Sequence, residues 1–223
     1  MFETKYSKFL TVLLIVIIVA IIGLGGYLGY NYYTSSTKVK DADKYVSTFV
    51  EEVGNTTEET NTSDSQGSIS ENIAASDVGS NNANKKQTYK GFNVLGTIEI
   101  PKTNVKYPIL EPPASNDKIE VAVAVDYPYK DVTLNSVGNV TIAGHNYRNG
   151  TFFSDNNKLT NGDKIYITDL TGTKVEYTVY NKFTTEFKDR TYNNRDTDGK
   201  REITLYSCTD DLSGRLIVEA RAD

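Results

Sequence analysis

The chain has 223 residues with 24 basic and 29 acidic side chains, a net charge of -5 and no basic cluster beyond its first residues, which argues against a nucleic-acid partner. Its single cysteine, Cys208, rules out an intramolecular disulfide framework, so the compartment has to be read from the N-terminus instead. Sixteen tyrosines with no tryptophan, among many Asn, Thr, Asp and Gly residues, suit strands joined by polar turns.

Residues 1–8 are a short N-terminus carrying Lys5 and Lys8, and residues 9–30 are 22 consecutive positions without a charge. At 1.5 Å of rise per residue such a run crosses a hydrocarbon core of about 30 Å, and the lysines before it place the N-terminus in the cytoplasm and the rest of the chain outside. A cleaved signal peptide would have a shorter apolar region followed by an Ala-x-Ala-like site, which Gly23 to Gly26 match poorly. The expectation is therefore an uncleaved, single-pass signal anchor in the cell membrane, with Tyr27, Tyr30, Tyr32 and Tyr33 as an interfacial belt.

Residues 31–86 are expected to be a flexible acidic linker. Tyr45, Phe49 and Val53 recur every four residues and suggest a short amphipathic helix within Lys38 to Val53, but the region carries nine acids against Lys44 between Asp41 and Asn84. From Gly54 to Lys86 there is no aromatic residue, too little apolar surface to offset the entropy of folding.

Residues 87–223 hold the strand signals. Val94 to Ile100, Val105 to Leu110, Asn139 to Ala143, Asp163 to Thr168, Lys174 to Phe187, Glu202 to Ser207 and Arg215 to Ala220 are short runs rich in Val, Ile, Thr and Tyr, punctuated by turn residues such as Asn149-Gly150 and Asn161-Gly162. Seven or eight short strands without long helical periods indicate an all-β sandwich or barrel. Glu120 to Val125 is ambiguous and reads as strand or short helix.

The chemistry concentrates at strand ends. Cys208 closes one strand, Arg215 opens the next, and His145, the sole histidine, follows Asn139 to Ala143 across a glycine. A lone cysteine is commonly a small buried hydrophobe, and a lone histidine is commonly held in a turn. Together with an arginine, however, they supply a nucleophile, a proton carrier and a fixed cation, the groups that acyl transfer requires.

Thr204-Leu205-Tyr206-Ser207-Cys208 resembles the Thr-Leu-x-Thr-Cys signature of sortases, the membrane-anchored cysteine transpeptidases of Gram-positive bacteria. Arg215 to Ala220 is similar to the strand that carries their arginine, and Gly144-His145-Asn146 to their histidine segment; the likeness extends over Gly96 to Pro101, Tyr107 to Ile109 and Gly150 to Phe153. Ser207 departs from the usual threonine but keeps a hydroxyl.

The resemblance implies an eight-stranded sortase-type β-barrel over 87–223, with Cys208, His145 and Arg215 catalytic and Thr204, Ser207 and Asn146 on the substrate side. It implies cleavage of a Leu-Pro-x-Thr-Gly-like C-terminal sorting signal of surface proteins after its threonine, through a thioacyl enzyme resolved by an amine of a peptidoglycan precursor or of a pilin lysine. No metal or organic cofactor is required. The segment from Gly144 to Phe153 is similar to class B, whereas the short lead before the barrel is more like class D or A. The absence of a long lid favours cell-wall anchoring over pilin polymerisation. A surface cysteine hydrolase and a non-catalytic membrane-tethered binding domain are the competing readings.

Two secondary signals remain. Asp210 and Asp211 either orient His145 or serve as turn acids in the loop Thr209 to Gly214. Asn194 to Gly199 resembles half of a calcium loop, but its twelfth position is Leu205 rather than glutamate, so it reads as the mobile part of the loop from Thr184 to Arg201.

Overall fold

The computed structural model describes residues 3–58 and 87–222, and the chain divides into two compact units, Met1–Lys40 and Asp41–Asp223. Helix α1 runs over Glu3–Glu58. In the first unit its charge-free residues 9–30 span about 33 Å with their apolar side chains exposed, Leu10, Ile15 and Ile21 among them, so the helix is long and apolar enough to cross a membrane.

In the second unit α1 supplies a packed element where the sequence suggests tether. Ala42, Val46, Phe49 and Val53 recur at steps of four, three and four, which aligns them on one helical face, and all four are buried. Phe49 and Val53 join a cluster with Tyr89, Val94, Leu110, Ala122 and Ala124, and Tyr45 meets Tyr89 edge-on at 5.0 Å. The expected linker over 31–86 is thus helical to Glu58, because the acidic composition hides an apolar stripe that the barrel surface covers; its remainder, 59–86, lies outside the described residues.

The strands are β1 (Thr88–Tyr89), β2 (Phe92–Ile100), β3 (Val105–Leu110), β4 (Val123–Tyr127), β5 (Gly138–Ala143), β6 (Lys164–Asp169), β7 (Lys174–Thr185), β8 (Arg201–Cys208) and β9 (Arg215–Arg221). They lie in the order β1-β2-β3-β4-β5-β8-β9-β7-β6, and β2 also pairs with β6. That last ladder closes β2 to β9 into an eight-stranded barrel, with the two-residue β1 appended outside the ring. Two pairings, β3 with β4 and β5 with β8, are parallel and the others antiparallel.

All seven expected strands coincide with observed ones to within two residues at each end, β7 stopping at Thr185 rather than Phe187. The ambiguous stretch Glu120 to Val125 is a turn leading into strand β4, whose Val123 and Val125 point into the barrel, and the short helix α2 (Asn116–Ile119) lies just before it. The core is filled by alternating side chains from every barrel strand, including Ile98, Tyr107, Val125, Ile142, Ile167, Tyr177, Leu205 and Val218.

The outer face of β8 and β9 is polar yet covered. Glu202 and Glu219 are buried there, and Arg195, from the loop between β7 and β8, reaches both: it pairs with Glu202 and sits 3.1 Å from Glu219. Arg221 pairs with Glu202 at 2.5 Å, and Tyr180 donates to the same carboxylate at 3.0 Å. The segment Asn194 to Gly199, expected to be mobile, is therefore anchored at Arg195, with Asn193 and Thr197 buried on either side. A guanidinium locked between two carboxylates is what the reading from composition could not register.

Two stability effects follow from this packing. Phe49→Ala empties a site against Val94 and Leu110 and is expected to destabilise the domain by about 3 kcal/mol in chemical denaturation, whereas a free tether would tolerate it. Arg195→Ala removes one cation from two buried carboxylates and is expected to cost about 3 kcal/mol, read in the same assay.

Candidate active site

β8 carries two sets of side chains. Ile203 and Leu205 face the barrel core, so Thr204, Tyr206 and Cys208 share the opposite face with Glu202. Its antiparallel neighbour β9 places Arg215 directly opposite Cys208. Its parallel neighbour β5 places Ala143 opposite Tyr206, and Gly144 N–H donates to Tyr206 O at 3.1 Å, so two residues further along each strand His145 comes level with Cys208. Thiol, imidazole and guanidinium are thereby gathered at one end of the barrel from three adjacent strands.

Two glycines permit this approach. A Cβ on Gly144 would lie 2.6 Å from the Phe153 ring, and one on Gly214 would lie 2.3 Å from Thr185 O. Each precedes a site residue, so a side chain there would displace His145 or Arg215.

Cys208 is half-buried and unoxidised. Asn146 donates from Nδ2 to Cys208 O at 2.9 Å and to Asp210 Oδ1 at 2.8 Å, which ties the histidine loop to the end of β8. Arg148 Nη1 donates to Asp210 O and Asn157 Nδ2 to Asp210 Oδ2, so Asp210 braces that loop. Asp211 is a turn acid: hydrogen bonds from Thr209 and Ser213 hold its carboxyl down to about 2.

His145 is held by aromatic rings and a carboxylate. It stacks on Tyr147 at 4.7 Å between centroids, meets Phe152 edge-on at 6.4 Å, and places Nε2 3.7 Å from Glu120 Oε1. Burial, and then a hydrogen bond to Glu120, push the Tyr147 phenol well above its ordinary value, so it stays neutral near pH 7. Glu120 follows α2 and is a neighbour that sequence reading missed; twenty-five residues separate it from His145 and no local pattern joins them.

Arg215 is held by two tyrosines. Its Nη1 donates to Tyr192 Oη at 2.8 Å, and its Cζ lies 4.4 Å from the centre of the Tyr206 ring. Tyr206 donates in turn to Asp126 Oδ2 at 2.9 Å, and burial, reinforced by Asp126, pushes its phenol up. Burial likewise raises Tyr192, so both phenols are neutral at pH 7. None of these three partners was legible as a site residue beforehand.

Of the residues expected on the substrate side, Asn146 lies at the site through its bond to Cys208 O. Thr204 shares the face of Cys208 but is fully buried under Arg195, which donates to it at 3.2 Å, while Thr204 donates to Asn139 at 2.9 Å. Ser207 points the other way, toward the barrel interior, and is buried. Both positions follow from the alternation along β8: the signature threonine fastens the β7–β8 loop to the strand, and the signature serine lines the inside of the barrel end.

The sequence and fold comparisons agree with this geometry. A sortase domain matches residues 98–223. Sortase A of Bacillus anthracis is 33% identical over 128 residues, which span 56% of this chain and 58% of that relative's length. A sortase D5 transpeptidase of Clostridium perfringens superposes with a TM-score of 0.52 at 30% identity, covering 58% of this chain and 79% of the other. Sortase A of Corynebacterium diphtheriae does so with a TM-score of 0.53 at 26% identity, over 59% of this chain and 61% of the other. With the domain match covering more than half of its residues and the barrel closed in the same way, the chain belongs to the sortase family.

Proposed function

We propose that the chain is a cysteine transpeptidase that joins surface proteins bearing a Leu-Pro-x-Thr-Gly-like sorting signal to an amine of a peptidoglycan precursor. The observation that carries this reading is the register of β5, β8 and β9, which sets Arg215 opposite the only thiol on one side of β8 and the strand end that leads to the only imidazole on the other.

Sγ of Cys208, as thiolate, attacks the carbonyl carbon of the threonine in the scissile Thr–Gly bond. The negative charge that develops on the carbonyl oxygen is met by the Arg215 guanidinium. The C–N bond then breaks, and the glycine nitrogen leaves with a proton supplied by His145. A thioester remains on Cys208, retaining much of the free energy of the lost amide for the second half. The acceptor amine gives a proton to His145, attacks the thioester carbonyl, and forms the new amide as the thiolate departs.

Residues 9–30 serve as a single-pass membrane anchor with the N-terminus in the cytoplasm, since Lys5 and Lys8 precede the apolar run. The barrel then works outside the cell, where the polymer precursor and the exported sorting signals are found.

The full chain in detergent micelles, given a fluorogenic sorting-signal peptide and a short amine acceptor, tests the reading. Cys208→Ala is expected to abolish cleavage and His145→Ala to cut it by about 100-fold or more. Arg215→Lys is expected to lose on the order of 100-fold, because an ammonium does not reproduce the planar fork. Product carrying the acceptor amine should exceed hydrolysed peptide; cleavage that survives Cys208→Ala would sink the assignment.

A further inference from the structure

An arginine can stabilise an oxyanion only if its guanidinium is already in place when the charge appears. Arg215 begins β9 next to a tight loop, and a long side chain in that position has much rotamer freedom to lose. Two contacts restrict that freedom in this chain. The Tyr206 ring lies under the guanidinium at 4.4 Å, inside the range of about 6 Å over which a cation is attracted to an aromatic face. Tyr192 Oη accepts from Nη1 at 2.8 Å. The Tyr206 ring is itself fixed, because its hydroxyl donates to Asp126 at the end of β4 and its flank packs on Tyr192 at 5.7 Å.

Tyr192 is built into the structure as firmly as the strands are. It is 2% exposed, although it belongs to the β7–β8 loop. Asn139 of β5 donates to the backbone carbonyls of Tyr192 and Asn193, at 3.0 and 2.9 Å, and Arg195 is clamped three residues further on. The loop is thus fastened to the barrel at Tyr192 and just beyond it, and the phenol is delivered to Arg215 from a fixed support. The fixed phenol engages one of the five N–H donors of the guanidinium, so most of the fork remains for a substrate.

We propose that Tyr192 and Tyr206 are positioning residues for Arg215, and that the β7–β8 loop contributes to turnover through this seat rather than by touching the substrate alone. The proposal rests on the transpeptidase reading above. Tyr206 occupies the x of the Thr-Leu-x-Ser-Cys run, so in this chain that position acts on the arginine through its ring.

A double-mutant cycle on the full chain tests this, with single-turnover thioacylation of Cys208 by the sorting-signal peptide followed by mass spectrometry. Tyr192→Phe deletes one oxygen and is expected to slow thioacylation about 10-fold with little change in the peptide concentration for half-saturation and in thermal midpoint. Tyr206→Leu is expected to lose more than Tyr206→Phe, which keeps the ring. In an Arg215→Ala background both effects should shrink to less than twofold, since there is no guanidinium left to position. Losses that persist undiminished in that background would show the tyrosines to be structural and would overturn the proposal.

A second measurement does not depend on activity. The guanidinium nitrogens of Arg215, assigned in NMR spectra by comparison with Arg215→Lys, should show hindered rotation in the wild type and free rotation in Tyr192→Phe. Free rotation in the wild type would overturn the proposal even if the enzyme assay gave nothing. Cleavage of the sorting-signal peptide that survives in Cys208→Ala, which has no thiol left, would instead count against the transpeptidase reading, so the two failures are told apart.

Discussion

The placement of β8 between a parallel and an antiparallel neighbour is the constraint on which the site depends. Hydrogen-bonded ladders on both sides fix where the strand starts and which way its side chains point. Chemistry then follows from position: the last residue of β8 is the thiol, the first of β9 the guanidinium, and the loop after β5 the imidazole. No residue of the three is neighbour to another in sequence, yet none needs an unusual backbone conformation to meet the others. The strand ends do the gathering, and the glycines at 144 and 214 let the adjoining backbone pass close enough.

Around this skeleton the outer face of β8 and β9 is divided in two. Near the strand ends it presents Cys208 and Arg215; further along it carries the carboxylates Glu202 and Glu219, closed over by Arg195. Two buried anions would be costly alone, and the loop that neutralises them becomes a fixed part of the barrel for that reason. The same anchoring that settles an electrostatic problem in the fold sets the position of Tyr192. Stability and site geometry are coupled here through one loop.

Much of this was legible in the sequence because the strands announce themselves. β7, β8 and β9 are rich in β-branched and aromatic residues and alternate cleanly, and the thiol ends β8, the arginine opens β9 and the imidazole lies just beyond β5. β4 was obscured by the run Val121-Ala122-Val123-Ala124-Val125, in which the covered outer face is lined by alanine instead of polar residues, so the period-two signal is lost. The packed part of α1 was legible in part: Tyr45, Phe49 and Val53 suggested a short amphipathic helix, but Asp41, Asp43, Glu51 and Glu52 around the narrow stripe made the region read as a linker. Glu120, Asp126 and Tyr192 were invisible for a different reason. Their roles come from contacts across 23 to 80 residues of chain, and nothing local distinguishes them from other surface acids or loop tyrosines.

The pairing of β2 with β6 lies far from Cys208 in the ring, yet it guards the chemistry there. In an open sheet, a strand that slips by one residue exchanges its two faces and harms only its own neighbours. For β8 such a slip would turn Ser207 outward and the thiol into the core. In a closed ring there is no free edge at which the error can be absorbed, so every ladder would have to shift with it. Closure therefore acts as proofreading: the identity of the outward-facing nucleophile is enforced by the whole circumference of the barrel rather than by the strand that carries it.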